Sequence, residues 1–309
     1  MNQTKINELL HQKAELGARL HLLPYEGSPE IKENSSGKYL YVRKREFGKL
    51  KSTYVGAYNE TLYTALLRYA KEGRELRKSI RKIEKELAEL GYEDSDLSPA
   101  VILNLDFARA NMKANIYDQA ALEGVATTFP QTEDIIDGGI VNGVTATDVQ
   151  KILNLKHAWE FILDRDVLRS KSDLYVLSYI ARLVNEGFYT EGGRLRGVPV
   201  NIGGTSYTPP LPIEVDVKET LEKIISSESS HVDIAINLCL YCMRAQLFND
   251  GNKRASVIFA NHFLISHGGG LLVIPEQKVP QFKQLLVAYY ESNDAKEIAE
   301  FMKKECIKK

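Results

Sequence analysis

Apolar residues recur at three- and four-residue steps along most of this chain, and that spacing predicts a protein built mainly of helices. Residues 1–20 read as a polar amphipathic helix and 24–37 as a loop. Residues 38–56 differ: β-branched and aromatic residues on either side of Phe47-Gly48 predict a small hairpin. Leu62, Leu66, Tyr69, Leu76, Ile80, Ile83, Leu87 and Leu90 then place a long helix over 60–91, with Gly91 as its stop. Residues 1–95 therefore form an N-terminal accessory arm, a helix–hairpin–helix, with the boundary in Glu93–Pro99. A second domain covers 96–309. Its predicted helices run over about 100–122, 145–164, 172–186, 217–228, 232–246, 252–267, 279–291 and 294–305. Paired glycines punctuate it at Gly138-Gly139, Gly192-Gly193 and Gly203-Gly204, and three stand together at Gly268–Gly270. One stretch breaks the helical pattern. Residues 194–213 are β-rich and interrupted by glycine and proline, as in an exposed hairpin.

Composition changes this picture little. At 44% hydrophobic and 26% charged, with net charge −1, the 309 residues are ordinary globular material with no global pull toward nucleic acid or membrane. No apolar run reaches the roughly 18–20 residues that cross a bilayer, and the first 20 residues lack a signal peptide's apolar block. Cys239, Cys242 and Cys306 are too few for a zinc site and read as buried, reduced thiols, so a cytoplasmic address is expected.

The densest chemistry lies at Asn249-Asp250-Gly251-Asn252-Lys253-Arg254, between two strong helical patterns. A helix beginning there would offer free amides and its positive dipole end to an anion. Lys253 and Arg254 would add charge-assisted bonds to phosphate. Asp250 would repel phosphate unless a divalent cation stood between them, which points to Mg²⁺. The same residues also suit a capped helix start with a solvated charge cluster, and composition does not choose between the two.

The order of residues does. Gln246–Arg254 (QLFNDGNKR) resembles the signature loop of the Fic/Doc (Fido) family, with Phe248, Asp250, Gly251, Asn252, Lys253 and Arg254 in register. Leu195–Pro210 resembles the family's flap, a hairpin over the active site that docks the target, with Ile202, Gly203, Gly204 and Thr205 at its centre. Ala120–Gly124 resembles the end of the family's inhibitory helix, keeping Glu123 and Gly124. The resemblance spans roughly 100–300. It implies a mainly α, Fic-type helical bundle that binds ATP with Mg²⁺ and transfers AMP, or another phosphate-containing group, to a protein hydroxyl. By the same resemblance Asp250 would hold the metal, and Asn249, Gly251, Asn252, Lys253 and Arg254 would cradle the phosphates.

Three positions depart from the family pattern. Gln246 stands where the family has its catalytic histidine, and an amide cannot accept the proton that an imidazole takes. The base's contribution, typically about 10²–10⁴-fold, should be lost, while Asn252 and Arg254 could still position and stabilise charge. Val257 replaces the arginine that the inhibitory glutamate normally pairs with, and Gln119 replaces the inhibitory serine. Glu123 is therefore expected to have less to clamp. His262, more than two turns into the helix, and His231 are not expected to substitute as base. The alternative to a weakened transferase is an inactive nucleotide-binding pseudoenzyme.

Residues 38–51 carry six cations against Glu46, with Tyr39, Tyr41, Phe47 and Tyr54 interleaved or adjacent. Such a hairpin could bind nucleic acid through Arg43, Lys44 and Arg45. The favoured reading is a solvated face, its aromatics packed on the 60–90 helix. The mixed charges of 71–85 read as a solvated helix face.

Overall fold

The computed structural model describes residues 2–25, 27–35, 37–46, 49–92, 97–139 and 141–309. The Phe47-Gly48 turn and residues 93–96 of the expected boundary lie outside them. The chain divides into two compact units, Met1–Asp94 and Ser95–Lys309.

The first unit runs α1 (Asn2–Leu22), β1 (Ser28–Asn34), β2 (Gly37–Glu46), β3 (Lys49–Ala57) and α2 (Glu60–Glu89). The arm is thus a helix, a three-stranded sheet and a helix, since the expected loop over 24–37 contains a strand. β1 pairs antiparallel with β2, Ile31 opposite Leu40. Its sequence, SPEIKEN, carries one aliphatic side chain and a proline, a composition tolerated only at a sheet edge. Tertiary pairing, not local pattern, makes it a strand. On the inner face of β2, Leu40 and Val42 are buried against Leu66 of α2, while Ile6, Leu9 and Leu10 of α1 pack on Ile83 and Leu87. Asn59 caps α2 by accepting from the Thr61 and Leu62 amides. Past Glu89 the chain reverses through Gly91, at φ +74°. On the solvated face of α2, Lys71–Glu75, Lys82–Glu86 and Lys85–Glu89 form i, i+4 ion pairs. Of the hairpin aromatics, Tyr39, Tyr41 and Tyr54 are not packed on α2, and Phe47 lies outside the described residues. Tyr39 and Tyr41 alternate with Leu40 and Val42 and so occupy the opposite face of the sheet.

In the second unit the helix expected over 100–122 is two, α3 (Pro99–Ala110) and α4 (Met112–Leu122). Asn111 separates them at φ −101°, ψ 3°, its side chain donating to the Phe107 carbonyl. α5 (Phe129–Ile136) was not anticipated, although Thr128 and Gln131 form a complete capping box with Pro130 in the first turn. Then follow α6 (Ala146–Ile162), α7 (Arg165–Arg169), α8 (Leu174–Val184), α9 (Glu214–Ile225), α10 (His231–Ala245), α11 (Asn252–Ser266), α12 (Val279–Ser292) and α13 (Lys296–Glu305). Leu271–Leu272 pairs antiparallel with Ile307–Lys308 as β4 and β5.

α11 is the axis of this bundle. Thirteen of its fifteen residues are buried, so it is enclosed nearly all round and packs against α3, α6, α7, α8 and α10. Most of its buried polar groups are bonded: Asn261 exchanges hydrogen bonds with Leu272, and His262 bonds Ser172 and Val167, whereas Arg254 Nε makes no hydrogen bond. The three cysteines are buried and free, and burial drives their thiols upward, Cys306 to about 12. No helix among the described residues is long and apolar enough to cross a membrane.

Candidate functional site

The loop joining α10 to α11 has its shape set by two left-handed backbone positions and one amide side chain. α10 ends at Gln246 in the left-handed conformation, φ 47° and ψ 58°, which is uncommon for a residue with a side chain. Gly251 precedes α11 at φ +74°, and a Cβ there would stand 2.7 Å from the Asn185 side-chain oxygen. Between them Asn252 spans the loop. Its Oδ1 accepts from the Phe248 amide at 2.9 Å, and its Nδ2 donates to the Phe248 carbonyl at 2.8 Å and to Gln246 Oε1 at 3.1 Å. No side chain caps α11, so its first-turn amides are left for an anion.

Both ends of the Gln246 amide are engaged. Nε2 donates to the Met243 carbonyl at 2.6 Å while Oε1 accepts from Asn252. Burial raises the neighbouring Tyr290 phenol well above its ordinary value, so it stays protonated and is no substitute base. His262 is not one either. Burial lowers it to about 4, and its two nitrogens are held by the Ser172 hydroxyl and the Val167 carbonyl. His231 opens α10 with its ring 4.7 Å from that of His267.

Arg254 is 2% exposed. It donates to the Val184 carbonyl at 2.6 Å and to Asp250 at 3.1 Å. Glu123, at the C-terminal cap of α4, lies 3.7 Å from both Lys253 Nζ and Arg254 Nε. With no arginine at 257 Glu123 lacks that partner, and it stands within ion-pair range of these two cations without a hydrogen bond from Arg254 Nε. Val257 is buried and shares the lining of a small cavity with Asn115, Gln119, Leu122 and Trp159. Glu123 turns instead to the loop's own two cations. Gly124 follows at φ +76°. Gln119 locks this helix to the loop, donating to the Arg254 carbonyl at 2.8 Å and accepting from Trp159 Nε1 at 3.0 Å. Asp250 is half exposed and Asn249 exposed at the tip.

Residues 194–213 form no strand, contrary to the expected hairpin. Pro199, Pro209 and Pro210 remove amides, and Arg196 takes carbonyls that a ladder would need. Its buried guanidinium donates to the carbonyls of Gln246, Val198, Pro209 and Pro210 at 2.5–3.1 Å, and its amide to Leu247. Arg196 thus ties this segment to the loop. Farther along, Thr205 donates to Glu291 on α12 at 3.0 Å, and Tyr207 lies under the Arg244 guanidinium at 4.0 Å. Ile202 is partly buried, and Gly203 and Gly204 are exposed.

Two residues that organise the site escaped the sequence reading. Arg196 has a second arginine two positions away, Arg194, which is exposed and paired with Glu191, and no pattern separates the two. Asn185 follows α8 and donates to the Asp250 carbonyl at 2.9 Å, a contact made across 65 residues.

The structure thus sets a helical bundle whose central helix starts at a glycine-turned, cation-bearing loop, tied by Arg196 to the 194–213 segment. The family comparison agrees: residues 172–264 match the Fic/DOC family, and the chain carries a Fic/DOC family domain. Residues 3–64 match a domain of unknown function, DUF6788. Proteins named protein adenylyltransferase Fic from Drosophila grimshawi and Drosophila willistoni are 26% identical over 213 residues, 66% of this chain. The aligned region makes up 44% and 42% of those relatives, so the chain spans less than half their length. Among solved structures, a Fic family protein from Desulfovibrio desulfuricans G20 superposes with TM-score 0.53 at 18% identity, covering 68% of this chain and 73% of its own. Fic-1 residues 134–508 from C. elegans gives 0.54 at 17% identity, covering 79% and 77%. These likenesses show the fold.

Proposed function

We propose that the chain is a Fic-type nucleotide-binding protein that takes ATP and transfers AMP to a protein hydroxyl, slowed by the absence of a base at position 246. The observation that carries this reading is the intact loop. Asn252 bridges its two ends, Gly251 turns it, and Arg254 is fixed beneath it while the α11 amides stay open. In this role the amides, Lys253 and Arg254 bind phosphate oxygens, Asn249 lies at the rim, and Ile202–Thr205 receive the target segment. Asp250, one exposed carboxylate beside the phosphate position, suits Mg²⁺, which takes one or two carboxylates with substrate phosphates. When bound, the ion would neutralise charge on those phosphates.

The target oxygen would attack the α-phosphorus as the bond to pyrophosphate breaks. Gln246 cannot take the hydroxyl proton, which passes to solvent. Phosphate must also displace Glu123 from Lys253 and Arg254, so nucleotide binding and the Glu123 contact compete. A second reading, nucleotide binding without transfer, is supported by the saturation of both ends of the Gln246 amide.

Incubation with ATP labelled separately at the α- and γ-phosphates tests both readings. Wild type should give slow transfer of α-label only, and Gln246→His should raise it by about 10²–10⁴-fold. Label in the histidine variant alone would favour the second reading. No nucleotide binding by either protein would overturn the site assignment.

A further inference from the structure

We propose that the outer face of the β1–β3 sheet binds single-stranded nucleic acid, with tyrosine rings stacking on bases and interleaved cations holding phosphates. This site lies in the first unit and does not depend on the nucleotide-loop reading.

Charge is divided unevenly along the chain. Residues 1–94 carry 18 lysines and arginines against 14 acids, net +4, whereas residues 95–309 carry 22 against 27, net −5. The sheet's register gathers the aromatic part. Leu40 and Val42 point into the core, so Tyr39, Tyr41 and Arg43 share the outer face. Pairing alone would set Val55 opposite Tyr41. A bulge shifts the register there, so Tyr54 stands opposite Tyr41 on the outer face while Val55 packs inward.

The result is a ring cluster: Tyr54 lies 5.5 Å from Tyr41 and 6.2 Å from Tyr39, and is 53% exposed. Lys32 sits 4.4 Å over the Tyr41 ring. Arg43, opposite Ser52, is exposed and has no ion-pair partner among the described residues. The nearby acids are already engaged, Glu30 by Ser52 and Lys32, and Glu33 by Lys38. One exposed ring, Tyr54, beside the partly buried Tyr39 and Tyr41, with flanking cations on a sheet whose reverse is core, matches what splayed bases and their backbone require. A duplex hides its ring faces and would not engage the tyrosines, and an acidic peptide offers no rings to stack.

The test is fluorescence anisotropy of the full chain with labelled single strands of about 12 nucleotides, DNA and RNA. The same sequence as duplex and polyglutamate serve as competitors. Expected are preference for single strands, an affinity that falls steeply above about 50 mM salt, and a loss of about tenfold or more in Tyr54→Ala. Tyr54→Phe, which keeps the ring, should retain binding and so exclude a folding defect. Arg43→Ala should reduce the salt slope by about one. No single-strand binding, equal competition by duplex or polyglutamate, or wild-type affinity in Tyr54→Ala would each overturn the proposal.

Discussion

Two side-chain arrangements in the α10–α11 loop carry consequences that can be measured. Gly251 is confined by both φ and the Asn185 side chain. Gly251→Ala should cost about 1–3 kcal/mol and lower nucleotide affinity, read by calorimetric unfolding and ligand titration. An unchanged melting temperature would show that Asn185 can move aside. Glu123 neutralises Lys253 and Arg254 where phosphate would sit. Removing that charge with Glu123→Gln should tighten ATP binding by roughly 3- to 10-fold, since a competing contact of about 0.7–1.4 kcal/mol is lost. Weaker binding in this variant would mean that Glu123 supports the loop and does not compete with ligand. The candidate residues from Asn249 to Arg254 were legible because their order is local. The partners of Arg254, namely Glu123, Asp250 and Val184, were mostly not, because two of the three lie 70 or more residues away.

Among the elements, the 194–213 segment and the edge strand show where periodicity stops informing. Residues 194–213 have strand-like composition, yet Arg196 collects the Val198, Pro209 and Pro210 carbonyls, and the segment is irregular, without a ladder. Arg196→Met should release four carbonyls from a buried donor and cost about 2–4 kcal/mol. Limited proteolysis should then cut within 197–210 faster than in wild type. Equal cleavage would mean that Thr205 and Tyr207 hold the segment unaided. β1 is the converse case, a polar segment without strand signal that pairs because β2 offers an edge. The split at Asn111 and the addition of α5 both follow from polar side chains bonding nearby backbone. The Thr128–Gln131 signature was readable in advance.

For the molecule as a whole, pH dependence follows from its buried centre. His262 is fully buried on α11 and lowered by that burial to about 4, against about 6.5 when unfolded. The unfolded chain therefore binds the extra proton between these values. Stability is fully present above about pH 6.5 and is lost as pH falls toward 4, by up to about 3 kcal/mol from this group. Melting temperatures measured from pH 7 to 4 should fall more steeply for wild type than for His262→Gln, and parallel curves would assign acid unfolding to other groups. The sequence by itself determined the helical class, the loop and the helix centred on it, because turn residues and apolar spacing act over a few positions. It also showed that residue 246 cannot accept a proton. Only the tertiary structure decided that Gln246 is tied at both ends, that Glu123 meets the loop's cations, and that three tyrosines share one open sheet face. Each of those depends on register or on packing between distant segments, and neither is encoded in local spacing.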